Sequence, residues 1–219
     1  MTPYQVRAQI EDLIGRLIMS GLSVKQFNPS ERAEGAERVI GRTQSSAMAL
    51  KNIDYADIYE ELERTESYDA KLVDGGLILL QYRFDRQNAL LQHRLAYFPC
   101  PVLPSIDDVP ELYEADQLYG DIIERRLVRF PIRFDFAPEQ KIDVVHPISH
   151  LTLGQYENCR IPVSGPVGPH VFGNFIVRNF YCRAYTRNKN HFERKPPVLT
   201  SMRTITAAEQ KVCHFVHAG

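Results

Sequence analysis

Apolar residues recur three and four positions apart at Val6, Ile10, Leu13, Ile14, Leu17 and Ile18, which lines one face of a helix over residues 3–21. Thr2 is placed to cap it, Pro3 occupies the first helical position, and Gly21 stops it. The pattern then turns polar, and residues 30–46 read as a loop with one short strand around residues 38–43. Helical spacing returns over residues 54–64, carrying Ile58, Tyr59 and Leu62 inward.

The middle of the chain changes period. Residues 68–73 and 77–84 flank Asp74-Gly75-Gly76, whose glycines supply the positive φ angles of a tight hairpin turn. Residues 90–98 (LLQHRLAYF) form the next strand, after a turn helped by Asn88. Residues 99–110 hold four prolines and read as irregular, and residues 111–126 as a short helical turn. Residues 127–136 alternate, with Val128, Phe130, Ile132, Phe134 and Phe136 on one face and Arg129, Arg133 and Asp135 on a wet one. Pro131 inside that run points to an edge strand or a bulge. Residues 142–145, 151–153 and 159–163 are short apolar runs, the last two strand candidates.

Beyond Pro166, residues 170–187 carry Val171, Phe172, Phe175, Ile176 and Phe180 at helical spacing and read as one helix. Thr206 and Glu209 are spaced as a capping box, which predicts a last helix through Val216. Helix, consecutive strands, then helices predict an α+β fold: a mainly antiparallel sheet of four to six strands flanked by N-terminal and C-terminal helices. The whole chain reads as one domain, with a helical and loop part at 1–66, a sheet core at 67–165 and helices at 166–219.

Composition narrows the class. The 219 residues carry a net charge of −1, so no global basic field marks a nucleic-acid binder. Charge is nevertheless uneven: residues 178–203 are basic, with Glu193 their one acidic residue, and residues 54–66 are acidic. Trp is absent, and 11 Tyr and 11 Phe supply the large core side chains. None of the four cysteines forms a C-x-x-C pair. No leader and no long apolar run is visible, which, with unpaired thiols, predicts a cytoplasmic protein without a membrane partner.

Candidate chemistry concentrates in residues 146–160. His146 and His150 titrate near neutral pH and suit acid, base or ligand roles. Their spacing of four would suit a metal on a helix, but Pro147 and the following Leu-Thr-Leu disfavour a helix, and no metal is assigned. Tyr156, Cys159 and Arg160 complete the catalytic candidates, Arg160 standing beside a thiol whose pKa it could lower. The bland reading gives the histidines loop-holding hydrogen bonds and Cys159 a place in the core. A second constellation is basic: Arg83, His93, Arg94, Arg129 and Arg133 lie on strands near Asp85 and Asp135. Arg94 and Arg133 are phosphate-clamp candidates, against plain cross-strand Arg–Asp pairing. Arg178, Arg183 and Arg187, interleaved with Phe180, Tyr181, Tyr185 and Phe192, are candidates for nucleic-acid contact, against aromatics that face the core. Asp135 with Glu139-Gln-Lys141 has the letters of a restriction-type nuclease centre, though Glu139 follows Pro138 in a turn.

The strings D-G-G-x-x-x-L-x-Y-x-F-D from Asp74, H-R-L-A-Y-F-P from His93, E-L-Y from Glu111, L-Y-G-D-I from Leu118, F-P-I-R-F-D-F from Phe130 and H-P-x-S-H-L-T-L-G-Q-Y-x-N-C-R-I-P-V from His146 carry a resemblance. Over residues 69–181 the chain resembles a bacterial family of domains of unknown function, which implies no catalytic role. The Asp-Gly strand, the R-F-D strand and H-P-x-x-H are also similar to the layout of small bacterial proteins of toxin–antitoxin pairs. That likeness implies a bacterial defence or toxin–antitoxin locus and a protein partner encoded nearby.

Three functions follow, in order of expectation. The first is an interaction subunit of a bacterial defence or toxin–antitoxin type system. The second is a phosphodiester-cleaving enzyme using His146 and His150 with arginine clamps. The third is a nucleic-acid binding module built on residues 178–195. The sequence names no cofactor.

Overall fold

Helix α1 (Pro3–Met19) forms where the apolar spacing places it, and both halves of a capping box hold its start: Thr2 Oγ1 accepts from the Gln5 backbone N–H, and the Gln5 side chain accepts from that of Thr2. The computed structural model describes residues 1–42, 53–102, 110, 128–156, 158–197, 199–200 and 202–217. The short helical turn expected at 111–126 falls outside them, as do the E-L-Y and L-Y-G-D-I motifs.

Three four-residue strands follow α1: β1 (Ser23–Gln26), β2 (Glu31–Glu34) and β3 (Glu37–Ile40). The second and third pair as a hairpin where a single strand was expected. Helix α2 (Tyr55–Arg64) is capped by Asp54 and buries Ile58, Tyr59 and Leu62. Next come β4 (Ala70–Leu72) and β5 (Leu77–Phe84), paired antiparallel around a turn in which Gly75 adopts φ +85° and Asp74 Oδ1 accepts from the Gly76 N–H. Strand β6 (Leu90–Phe98) follows Asn88, itself at φ +64°. Then come β7 (Ile132–Phe136), β8 (Ser149–Leu153) and β9 (Ile161–Pro162).

Among the described residues all nine strands pair antiparallel in one sheet, ordered β1-β4-β5-β6-β7-β8-β9, with the β2–β3 hairpin added to the far half of β5. The α+β class holds, but the sheet is wider than four to six strands. The extra strands are too short and polar to show a period-two pattern. Strand β7 lies inside the sheet, between β6 and β8, and not at an edge. Pro131 sits just before its first residue, so its missing N–H costs the ladder nothing, and its carbonyl accepts from Gly154 N.

One face of the sheet carries the helices. Leu80, Tyr82, Leu95, Phe134 and Leu151 pack there against Val6, Ile10 and Leu13 of α1 and Phe172 and Ile176 of α3 (Pro169–Phe180). Each such side chain contributes about 1.5–3 kcal/mol by leaving water. The single helix expected over residues 170–187 is two. Tyr181, at φ −128° and ψ 51°, breaks it, and α4 (Cys182–Arg187) starts afresh. The Tyr181 hydroxyl donates to Asp74 Oδ2 at 2.8 Å and meets the Tyr97 hydroxyl, so the break is bonded to the hairpin turn. A further turn, α5 (Lys189–Phe192), is locked to α1 by buried Arg16, which donates to the carbonyls of His191, Phe192 and Arg194. The last helix is also corrected. Thr206 and Glu209 do bond as a capping box, yet only a 3-10 turn at Glu209–Lys211 follows. The chain then extends, and Phe215 bridges Val163 beside the sheet.

The opposite face is divided. Helix α2 covers one part, over Leu77, Leu79, Ala96 and Phe98. The rest of that face is polar.

Candidate functional site

Strand register builds the site. Arg94 of β6 stands opposite Asp135 of β7, which stands opposite His150 of β8. In the next row Ala96, Arg133 and Thr152 are aligned in the same way. Two-residue alternation sends both rows to one face; Ala96 lies under α2, and the other five side chains reach the part that α2 leaves open. There they floor a cavity of about 370 Å³, walled by Gln92, Gln140, His146, Tyr156, Asn158 and Arg160, among others.

The floor is recessed. Asp135 is 6% exposed, Arg133 7% and His150 4%. Arg94 Nε donates to Asp135 Oδ1 at 2.7 Å, and Asp135 Oδ2 lies 3.8 Å from His150 Nε2. Burial acts to raise the Asp135 pKa, but Arg94, Arg133 and His150 outweigh it and hold the carboxyl below its ordinary range. Burial likewise lowers the Arg133 pKa.

Each imidazole has a defined seat. His150 Nδ1 lies 2.9 Å from the Pro147 carbonyl oxygen, which can only accept. The neutral ring therefore carries its proton on Nδ1 and presents an unprotonated Nε2 toward Asp135. His146 closes a small turn through two backbone hydrogen bonds with Ile142, and Val144 at its tip adopts φ +67°. A β-branched residue there is strained, so the turn is held against a local cost. The two rings meet edge to face, with centroids 4.8 Å apart. Burial lowers the pKa of both, with Arg160 lowering it further and Asp135 opposing. Both are thus mainly neutral at pH 7.

The pocket brings together His146, His150, Tyr156 and Arg160 with Arg94 and Arg133. It does not bring Cys159, which is half-buried and absent from the lining. Arg178, Arg183 and Arg187 lie on α3 and α4, across the sheet from the pocket, and Arg178 lines a separate groove with Val171, Phe175 and Leu199. Their aromatic neighbours are core residues: Tyr181 and Phe192 are buried, and Phe180 and Tyr185 pack on the same cluster, so the interleaved stacking surface does not form.

Other sequence candidates take different places. Arg133 and Asp135 are recessed in the floor of the pocket and do not stand on an open solvated face. His93 points to the helix side, where its Nε2 accepts from Val167 N and burial pushes its pKa down to about 3. Arg83 pairs with Glu34 and Glu37 at the β2–β3 hairpin. Glu139 lies in an exposed 3-10 turn and Lys141 pairs with Asp143, so the restriction-type letters do not converge on one strand. Among the described residues no group of three or more His, Cys, Asp or Glu side chains is placed to hold a metal. Nor, among them, is any helix long and apolar enough to cross a membrane. Sequence reasoning missed Thr152, Gln92, Gln140 and Asn158 as pocket residues. The alternation of His150-Leu-Thr152 could have found the first.

A family profile described as an uncharacterized conserved protein family, DUF2290, matches residues 22–217. No curated protein and no solved structure matches the chain.

Proposed function

Because the chain belongs to the DUF2290 family of uncharacterized conserved proteins, we propose from the pocket itself that it binds a phosphoester and cleaves a phosphodiester bond by acid–base catalysis. The observation that carries this is the gathering of Arg94, Arg133 and Arg160 in the lining of one pocket with Asp135, beside two imidazoles in contact. Among the described lining residues three guanidinium groups stand against the one carboxylate of Asp135, an excess of positive charge. An anion with several acceptor oxygens suits that excess, and guanidinium forks match phosphate geometry.

The chemistry follows from the tautomer. His150 Nε2, unprotonated, takes the proton of an attacking water or hydroxyl. The resulting imidazolium faces Asp135, which stabilises it. His146, when protonated, returns a proton to the leaving oxygen. Arg133 and Arg160 stabilise the charge that grows on the phosphoryl oxygens.

Hydrolysis of a fluorescent oligonucleotide or a nitrophenyl phosphodiester tests this reading. His146→Ala and His150→Ala should each lose about 10²-fold or more in rate while circular dichroism stays unchanged. Wild-type rates in both folded variants would refute it. Service as an interaction subunit of a defence or toxin–antitoxin type system is a compatible role, tested by co-purification with the product of a neighbouring gene.

A further inference from the structure

We propose, resting on the phosphoester reading above, that the ligand is an unpaired nucleotide of a single-stranded nucleic acid, its base stacked on Tyr156 and its edge read by the side-chain amides of Gln92, Gln140 and Asn158. Arginines explain a phosphate, but they do not explain the rest of the lining. A phosphate offers only acceptors, so it uses only the N–H half of an amide. Gln92, Gln140 and Asn158 all line the cavity, and none of their side chains has a hydrogen-bond partner among the described residues. Gln155 differs, because its Nε2 is spent on the Ile53 carbonyl. A nucleobase edge presents donors and acceptors side by side, and this is what a ring of uncommitted amides complements.

Tyr156 supplies the stacking surface. It lines the same cavity yet is 77% exposed, while the floor beneath it is almost wholly buried. Its ring crosses Gly154: a Cβ at that position would lie 3.2 Å from Tyr156 Cδ2. Gly154, at φ +70°, thus gives the ring its seat at the mouth. A base laid on it, with its phosphate reaching down to Arg133, must be out of any duplex stack, which favours a single strand.

Calorimetric titration of the full chain with nucleoside 5′-monophosphates and with ribose 5-phosphate separates the base from the phosphate. At least one nucleotide should bind about tenfold more tightly than the sugar phosphate. Tyr156→Ala should bring that ratio close to one, Tyr156→Phe should keep it, and Arg133→Met should weaken both ligands together. Equal affinities in the wild type, or a ratio that survives Tyr156→Ala, would overturn base recognition and leave the phosphate site standing. Failure of both ligands to bind would remove the phosphate site and this inference with it.

Discussion

Asp135 and His150 face each other across adjacent strands, with Oδ2 3.8 Å from Nε2, while the other oxygen of Asp135 is held by Arg94 at 2.7 Å. The carboxylate therefore links the cation of β6 to the imidazole of β8. Asp135→Asn removes the charge and leaves the largely covered Arg94 guanidinium beside a neutral amide. Breaking a buried pair in this way costs about 3–5 kcal/mol. Urea unfolding at pH 7 should show a loss in that range, and an unchanged midpoint would contradict the pairing.

The same contact sets the pH profile. His146 and His150 both have pKa values below the ordinary value of 6.5. A base must be unprotonated and its partner acid protonated, so activity peaks between the two apparent pKa values and falls outside them. With both lowered, kcat/KM should peak below pH 6.5 and decline toward pH 8. Asp135 favours the protonated form of each ring, so removing its charge should move the peak further down. A rate that rises steadily from pH 6 to pH 8 would contradict the assignment.

How much of this the sequence shows depends on the length of each pattern. Strand β6 and the hairpin before it were legible because runs of eight or nine mainly apolar residues stand between strong turn signals. The pocket was half legible: the histidines and arginines stood out as residue types, and the alternation of Arg133 with Phe134 placed Arg133 and Asp135 on one face. Their convergence was not, because it depends on the register of three strands that the chain visits far apart. Cys159 sits one residue from Arg160, and the local turn still leaves it out of the lining. The break at Tyr181 was hidden because its cause is a hydrogen bond to Asp74, over a hundred positions earlier.

Asp69 offers a test of the core. It is fully buried, its Oδ2 accepts from Leu80 N, and burial raises its pKa to about 7. A raised folded-state pKa stabilises the fold below the unfolded value of 3.8, and that contribution is lost as pH climbs toward about 7. Wild type should therefore lose stability relative to Asp69→Asn between pH 4 and pH 8, by a few kcal/mol. Thermal unfolding across that range checks it, and a constant difference between the two proteins would contradict it.

Gly41 closes the β3 strand at φ +116°, where a Cβ would lie 2.0 Å from the Leu80 carbonyl oxygen. Gly41→Ala should abolish or severely lower soluble expression, since backbone must move. Gly35→Ala, at φ +63° with open space around it, should cost only about 1–2 kcal/mol. Similar losses for both would contradict the packing of β3 on β5.

The phosphate site is tested most directly by following the ring carbon–proton signals of the seven histidines by NMR during titration with inorganic phosphate. The signals of His146 and His150 should move together and saturate, and Arg160→Met should shift the midpoint to higher phosphate. If those two signals stay still while the others drift, the pocket does not hold a phosphate.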